Sequence, residues 1–216
     1  MPAIATQETD LSSLLDDGLA AMALPLDTAT CGKLLAYVTL LGKWNQVYNL
    51  TAIREPARMI GAHILDSLSV VPHLPARGAL LDIGSGGGLP GIPIAAARPD
   101  LHVTMLDSVQ KKTTFVRQAI GELGLTNAEV VNERIEKYQP QQSFNVIISR
   151  AYAELADFVA GAAPLLAEGG HMLAMKGVYP HEEIARLPKE FVVNEVCELS
   201  VPQIEGKRHL VKVSRA

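Results

Sequence analysis

Between Asp27 and Leu50 the chain reads DTATCGKLLAYVTLLGKWNQVYNL, and its apolar positions recur at helical spacing, with Leu34, Val38, Leu41 and Tyr48 near one face. Asp27 stands where an N-cap belongs, because a short carboxylate there can accept from the first free backbone amides. A second helix is predicted from EPARMI, with Pro56 in its first turn and Ile60, Ile64, Leu68 and Val71 spaced by three and four. The proline-rich VPHLPARG ends it.

Beyond that break the rhythm changes. Short apolar runs, ALLDI, HVTMLD, AEVVN, FNVIIS and HMLAMK, alternate with helix-length intervals, which predicts a mostly parallel sheet covered on both faces. In the interval VQKKTTFVRQAIGELG, Val116, Ala119, Ile120 and Leu123 share an apolar face and leave Lys111, Lys112 and Arg117 to solvent. The tail pairs FVVNEVCELSV with RHLVKVS across the turn-like PQIEGK, the pattern of an antiparallel hairpin. The expected organisation is a helical extension over 1–76 followed by an α/β sheet domain over 77–216.

Composition narrows the function classes. A chain of 216 residues with 48 % hydrophobic content can bury a sizeable core, which excludes a disordered linker. The formal net charge of −4 gives no overall attraction for nucleic acid, so any basic surface must be local. Cys31 and Cys197 lie far apart without metal-ligand spacing, which fits a reducing compartment, free thiols and no metal site. The first residues are acidic where a signal peptide is basic, and no apolar run reaches the ~18 to 20 residues of a membrane span. A soluble cytoplasmic protein is expected.

The chemistry concentrates in DIGSGGGLPG, Asp82 to Gly91. Gly86, Gly88 and Gly91 satisfy G-x-G-x-x-G, the loop that cradles a dinucleotide pyrophosphate, but that register leaves Gly84 and Ser85 as surplus between strand and loop. Starting at Gly84 gives Gly84, Gly86 and Gly88 directly after a strand bearing Asp82, a GxGxG pattern that resembles the first motif of Rossmann-like methyltransferases. A carboxylate at Asp82 repels a pyrophosphate and tolerates the amino group and sulfonium of S-adenosylmethionine. Asp107 ends the second strand, where a carboxylate can accept ribose hydroxyls of either cofactor. An NAD-dependent oxidoreductase and a cofactor-free RNA-binding module remain open on these residues alone.

Seven stretches in order, LLGKWNQVYNLTAIRE, HILDSL, DIGSGGGLPGIP, LDS from Leu106, ISRA from Ile148, AMKG and RHLV, carry a resemblance to the bacterial 16S rRNA guanine-N7 methyltransferases of the ribosomal small-subunit methyltransferase G (glucose-inhibited division protein B) family. The resemblance implies a class I methyltransferase fold, S-adenosylmethionine as donor, and N7 of one guanine in the 530 loop of 16S rRNA as target, on naked RNA, an assembly intermediate or the 30S subunit. By position it implies Gly84, Leu89, Ile135, Glu136 and Arg150 in the cofactor pocket, beside Asp82, Gly86, Gly88 and Asp107 from the loop and ribose arguments. GGG at the loop centre departs from a proline or alanine expected at Gly87, adding backbone freedom. A small molecule or protein as methyl acceptor is the alternative that the acidic composition favours.

N7 of guanine already offers a lone pair, so orientation rather than a general base is expected to carry the reaction. In keeping with this, the fourth strand ends in SRAY, without the Pro-Pro-aromatic motif of amino methyltransferases. Arg150 and Lys176, at strand ends, are the positioning candidates. Arg54, His63, Tyr152, Lys176, Lys207, Arg208 and His209 are the candidates for holding RNA, with Tyr152 as a stacking ring and the cations as phosphate contacts. His63 and Asp66 are close enough to pair, though without a nucleophile beside them they form no catalytic dyad.

Overall fold

The structure, a computed structural model, describes residues 10–151 and 153–216. The helix foreseen from Asp27 runs as α2 (Thr28–Tyr48), capped by the Asp27 carboxylate on the Thr30 amide at 2.6 Å and closed by Asn49 in the left-handed conformation. Leu34, Val38 and Leu41 are buried as expected, but Tyr48 is 40 % exposed. Its face diverges from the core late in the helix, where Asn45 takes the buried position and Tyr48 leans on Trp44 instead. An earlier helix, α1 (Leu11–Ala21), was not foreseen; Asp10 caps it, and Leu15 and Leu19 bury against the rest of the helical layer.

The second helix is broken into three. After α3 (Pro56–Met59) the chain widens into a π-helical segment, Ile60–Leu65, before returning to α4 (Asp66–Leu68). Val71 falls in a separate 3-10 turn, Val71–His73. A π segment frees carbonyls from the regular ladder and is frequently found at functional sites. Here it contains His63 and leads directly to Asp66.

The sheet follows the apolar runs: β1 (Gly78–Ile83), β2 (Leu101–Asp107), β3 (Ala128–Asn132), β4 (Phe144–Arg150), β5 (Leu166–Lys176), β6 (Phe191–Leu199) and β7 (Arg208–Arg215). Their spatial order is β3-β2-β1-β4-β5-β7-β6; the first five are parallel, and β7 inserts antiparallel between β5 and β6. Strand order reverses between β1 and β4, which opens a crevice at their carboxyl ends where ligands of such sheets bind. Helices α5 (Gly91–Ala97), α6 (Gln110–Leu123), α7 (Leu155–Ala162) and α8 (His181–Ala185) complete the α-helices among the described residues.

One apolar cluster joins Leu15, Leu34, Ile64 and Leu68 of the first helices to Leu80, Val103 and Leu210 of the sheet. A second, with Leu81, Ile147, Phe158 and Val211, fills the other face. The helical residues before β1 and the sheet therefore share a core across the expected boundary at 76/77. The two cysteines are free and partly buried. No described helix is long and apolar enough to cross a membrane.

Candidate functional site

The glycine loop turns out of β1 at the crevice. Gly84, Gly86 and Gly88 all have positive φ (69°, 58° and 88°), a path that side chains with a Cβ rarely follow. Its shape is fixed from three sides. The Asp82 carboxylate accepts from the Gly91 amide at the start of α5 (2.9 Å), the Asp107 carboxylate accepts from the Gly86 amide (2.9 Å), and the Tyr37 hydroxyl donates to the Gly87 carbonyl (2.6 Å). Asp82 is fully buried beneath the loop, and burial pushes its pKa up to about 7.

Two lobes meet around the loop. One, about 440 Å³, is lined by Asp107, Lys112, Ile135 and Glu136. The other, about 480 Å³, is lined by Leu89, His63, Asp66, Arg150, Lys176 and Arg208 among others. Gly84 and Ala151 line both. Ala151 is held at φ 55°, a strained conformation for alanine at the junction of the lobes. A larger cavity of about 560 Å³ lies by the starts of β4 and β5, beneath the 72–75 turn, away from every loop glycine.

In the first lobe Asp107 also accepts from the Val109 amide (2.8 Å), and Lys112 Nζ approaches it at 4.0 Å. Ionised carboxylates have about four acceptor positions, so two amides leave room for ribose hydroxyls. Ser85 Oγ is buried, lines the second lobe and has no partner. In the first lobe, a carboxylate with free acceptor positions beside a glycine backbone cradle fits the ribose of S-adenosylmethionine.

The second lobe is organised by Asp66, which is 4 % exposed. Its carboxylate receives Arg150 Nη1 at 2.9 Å and Arg208 Nε at 3.1 Å, so two guanidinium groups share one negative charge. Arg150 also donates to the Ala62 carbonyl of the π segment (3.1 Å). His63 is held between the Thr51 hydroxyl (Nε2, 2.8 Å) and the Ala62 carbonyl (Nδ1, 3.0 Å). Burial, assisted by the nearby Arg150 charge, lowers its pKa to about 4, so it is neutral at pH 7. Lys176 donates to the Ala153 carbonyl (3.0 Å) and pairs with Glu183 at 2.6 Å. His209 is 6 % exposed, lines the lobe and leaves Nδ1 without a partner.

The structure thus gathers Gly84, Gly86, Leu89, Arg150, His63, Lys176, Arg208 and His209 at one lobe and Asp107, Ile135 and Glu136 at the other. Asp82 lies beneath the loop and Gly88 within it, and neither lines a lobe; a Cβ at Gly88 would meet Ile92 at 2.6 Å, so that glycine serves packing. Lys207 is 69 % exposed and pairs with Glu198, and Arg54 bonds Asn49 on the surface at 3.3 Å. Neither lines a lobe. Tyr152 lies outside the described residues. Sequence reasoning missed Tyr37, Thr51, Ser85 and Glu183, and offered His63 as a partner for Asp66 when the carboxylate is held by two distant arginines.

Residues 30–211 match the family model described as rRNA small subunit methyltransferase G. The chain belongs to the rRNA small subunit methyltransferase G family. Relatives named "Ribosomal RNA small subunit methyltransferase G" include that of Chromobacterium violaceum, 55 % identical over 92 % of this chain and 95 % of the relative. That of Laribacter hongkongensis is 54 % identical over 94 % and 98 %. The chain is accordingly an enzyme that methylates small-subunit ribosomal RNA. Its fold resembles a ribosomal protein L11 methylase from Lactobacillus delbrueckii subsp. bulgaricus (TM-score 0.53, 18 % identity, 70 % of this chain and 76 % of that one). It also resembles a coclaurine N-methyltransferase solved with S-adenosylhomocysteine, SAH (TM-score 0.55, 12 % identity, 88 % and 73 %).

Proposed function

We propose that the enzyme uses S-adenosylmethionine to methylate N7 of one guanine in the 530 loop of 16S rRNA, as naked RNA, in an assembly intermediate or in the 30S subunit. The observation that carries this reading is the meeting of a carboxylate-bearing lobe and an arginine-lined lobe at Gly84 and Ala151. The cofactor supplies an electrophilic methyl group on a sulfonium. Asp107 would accept the ribose hydroxyls, Ile135 and Glu136 would flank the nucleoside, and Gly84 and Gly86 would let the backbone approach.

The guanine enters the second lobe with N7 towards the junction. Because its lone pair attacks directly, the lobe needs donors and walls more than a base. Its groups suit that role: the Asp66 carboxylate is taken by two arginines, Lys176 is tied to Glu183, and the neutral His63 ring is engaged at both nitrogens. One carboxylate between two arginines leaves a net positive charge for phosphates of the RNA. Methyl transfer moves one positive charge from sulfur to base, so the total charge in the cleft is unchanged. N7 of a paired guanine is out of reach in the deep major groove of A-form RNA, so the target is unpaired or extruded.

The test is methyl transfer from labelled S-adenosylmethionine to unmodified 16S rRNA, bare and in 30S particles, with the product nucleoside identified by digestion and mass spectrometry. A single 7-methylguanosine in the 530 loop is expected. Label on another base or position overturns the assignment of N7.

A further inference from the structure

The segment after β5, GVYP, leaves Val178 76 % and Tyr179 42 % exposed, although Gly177 beside them lines the second lobe. Pro180, the next residue, is buried and anchors the segment at the start of α8. The Tyr179 ring is not left to wander: His181 lies against it at 4.2 Å between ring centroids, tilted by 34°. Its neighbour at the edge is His209, at 5.6 Å and 80°. His209 is itself a wall of the lobe and points no partner at its own Nδ1. An aromatic held in this way at the mouth of an RNA site, with much of its surface still in water, has the form of a stacking platform.

We infer that Tyr179 stacks an unpaired base next to the target guanine as that guanine enters the lobe, an inference that rests on the RNA reading above. Single-stranded RNA presents its bases as flat apolar faces, and an aromatic ring preorganised by its neighbours loses little freedom on receiving one. The partner is thus the flanking nucleotide of the same rRNA loop. Tyr179 acts in substrate binding and leaves the cofactor lobe untouched, since it adjoins His209 and Gly177 rather than Asp107 or Ile135.

The experiment is steady-state methyl transfer to unmodified 16S rRNA by the full-length wild-type enzyme and by Tyr179→Ala, Tyr179→Leu and Tyr179→Trp. Both the Ala and Leu variants are expected to raise KM for RNA by roughly 5- to 150-fold, the range for one stacked base. Trp is expected to restore it, and KM for S-adenosylmethionine is expected to stay unchanged in all three. Wild-type behaviour of the Leu variant would show that only packing is needed and overturn the platform. So would a parallel rise in both KM values. Failure of the wild type to label 16S rRNA either bare or in 30S particles would instead overturn the function itself.

Discussion

Removing one oxygen atom tests how the cofactor loop is held. Tyr37→Phe keeps the ring, which packs at 6.1 Å from Phe115, and deletes only the hydroxyl that donates to the Gly87 carbonyl at 2.6 Å. Both residues are buried, and burial raises the phenol pKa well above its ordinary range, so Tyr37 remains a donor at any working pH. Leaving a buried carbonyl without a partner costs about 1 to 3 kcal/mol. That cost divides in a measurable way. If the loop stays in place, the whole penalty appears as lost stability and the affinity for S-adenosylhomocysteine does not change. If the loop shifts to find water, stability recovers in part, and the apparent Kd rises as the binding-competent fraction falls. The sum of the two losses, from chemical denaturation of the free enzyme and from calorimetric titration with S-adenosylhomocysteine, is therefore expected to be about 1 to 3 kcal/mol. GGG at the loop centre offers freedom to move, so a Kd increase of roughly 5-fold or more is expected. Stability and affinity that both match the wild type would show that the Tyr37–Gly87 bond does not hold the loop.

Other outcomes follow from the same geometry. Asp82 has its pKa raised from 3.8 to about 7, so the folded state holds the proton more tightly than the unfolded chain. This contribution is fully present below pH 3.8 and is lost as pH rises through about 7. Between pH 5 and 8 the wild type should therefore lose stability, on the order of 3 kcal/mol, that Asp82→Asn does not, as denaturation midpoints at the two pH values would reveal. Asp66→Asn leaves Arg150 and Arg208 without their shared charge; kcat/KM for RNA should drop at least about tenfold while SAH affinity holds. The stability loss should stay below the ~3 to 5 kcal/mol of a fully buried pair, because both arginines are partly exposed. Asp107→Ala removes the acceptor for the Gly86 and Val109 amides along with the proposed ribose contact. SAH binding should weaken by roughly 1.5 to 3 kcal/mol, and an unchanged calorimetric Kd would take Asp107 out of the site.

What was legible in the sequence alone was everything that repeats or caps locally. All seven strands lie where the apolar runs stand, α2 begins at its Asp27 cap, and the glycine spacing located the loop, because side-chain period and backbone conformation depend on near neighbours. Position at strand ends put Arg150, Lys176 and Arg208 near the crevice, and motif resemblance added a cofactor role for Arg150, without either saying what holds them. Tertiary structure alone decided the partners: Tyr37 with Gly87, 50 residues on, and Asp66 with Arg150 and Arg208, 84 and 142 residues on. It also turned Asp82 from a ligand group into a buried strut, and a regular helix at 56–68 into one interrupted by a π segment. These choices depend on which surfaces the sheet brings face to face. A buried carboxylate or carbonyl takes whatever donor the packing delivers, and no local pattern records that delivery.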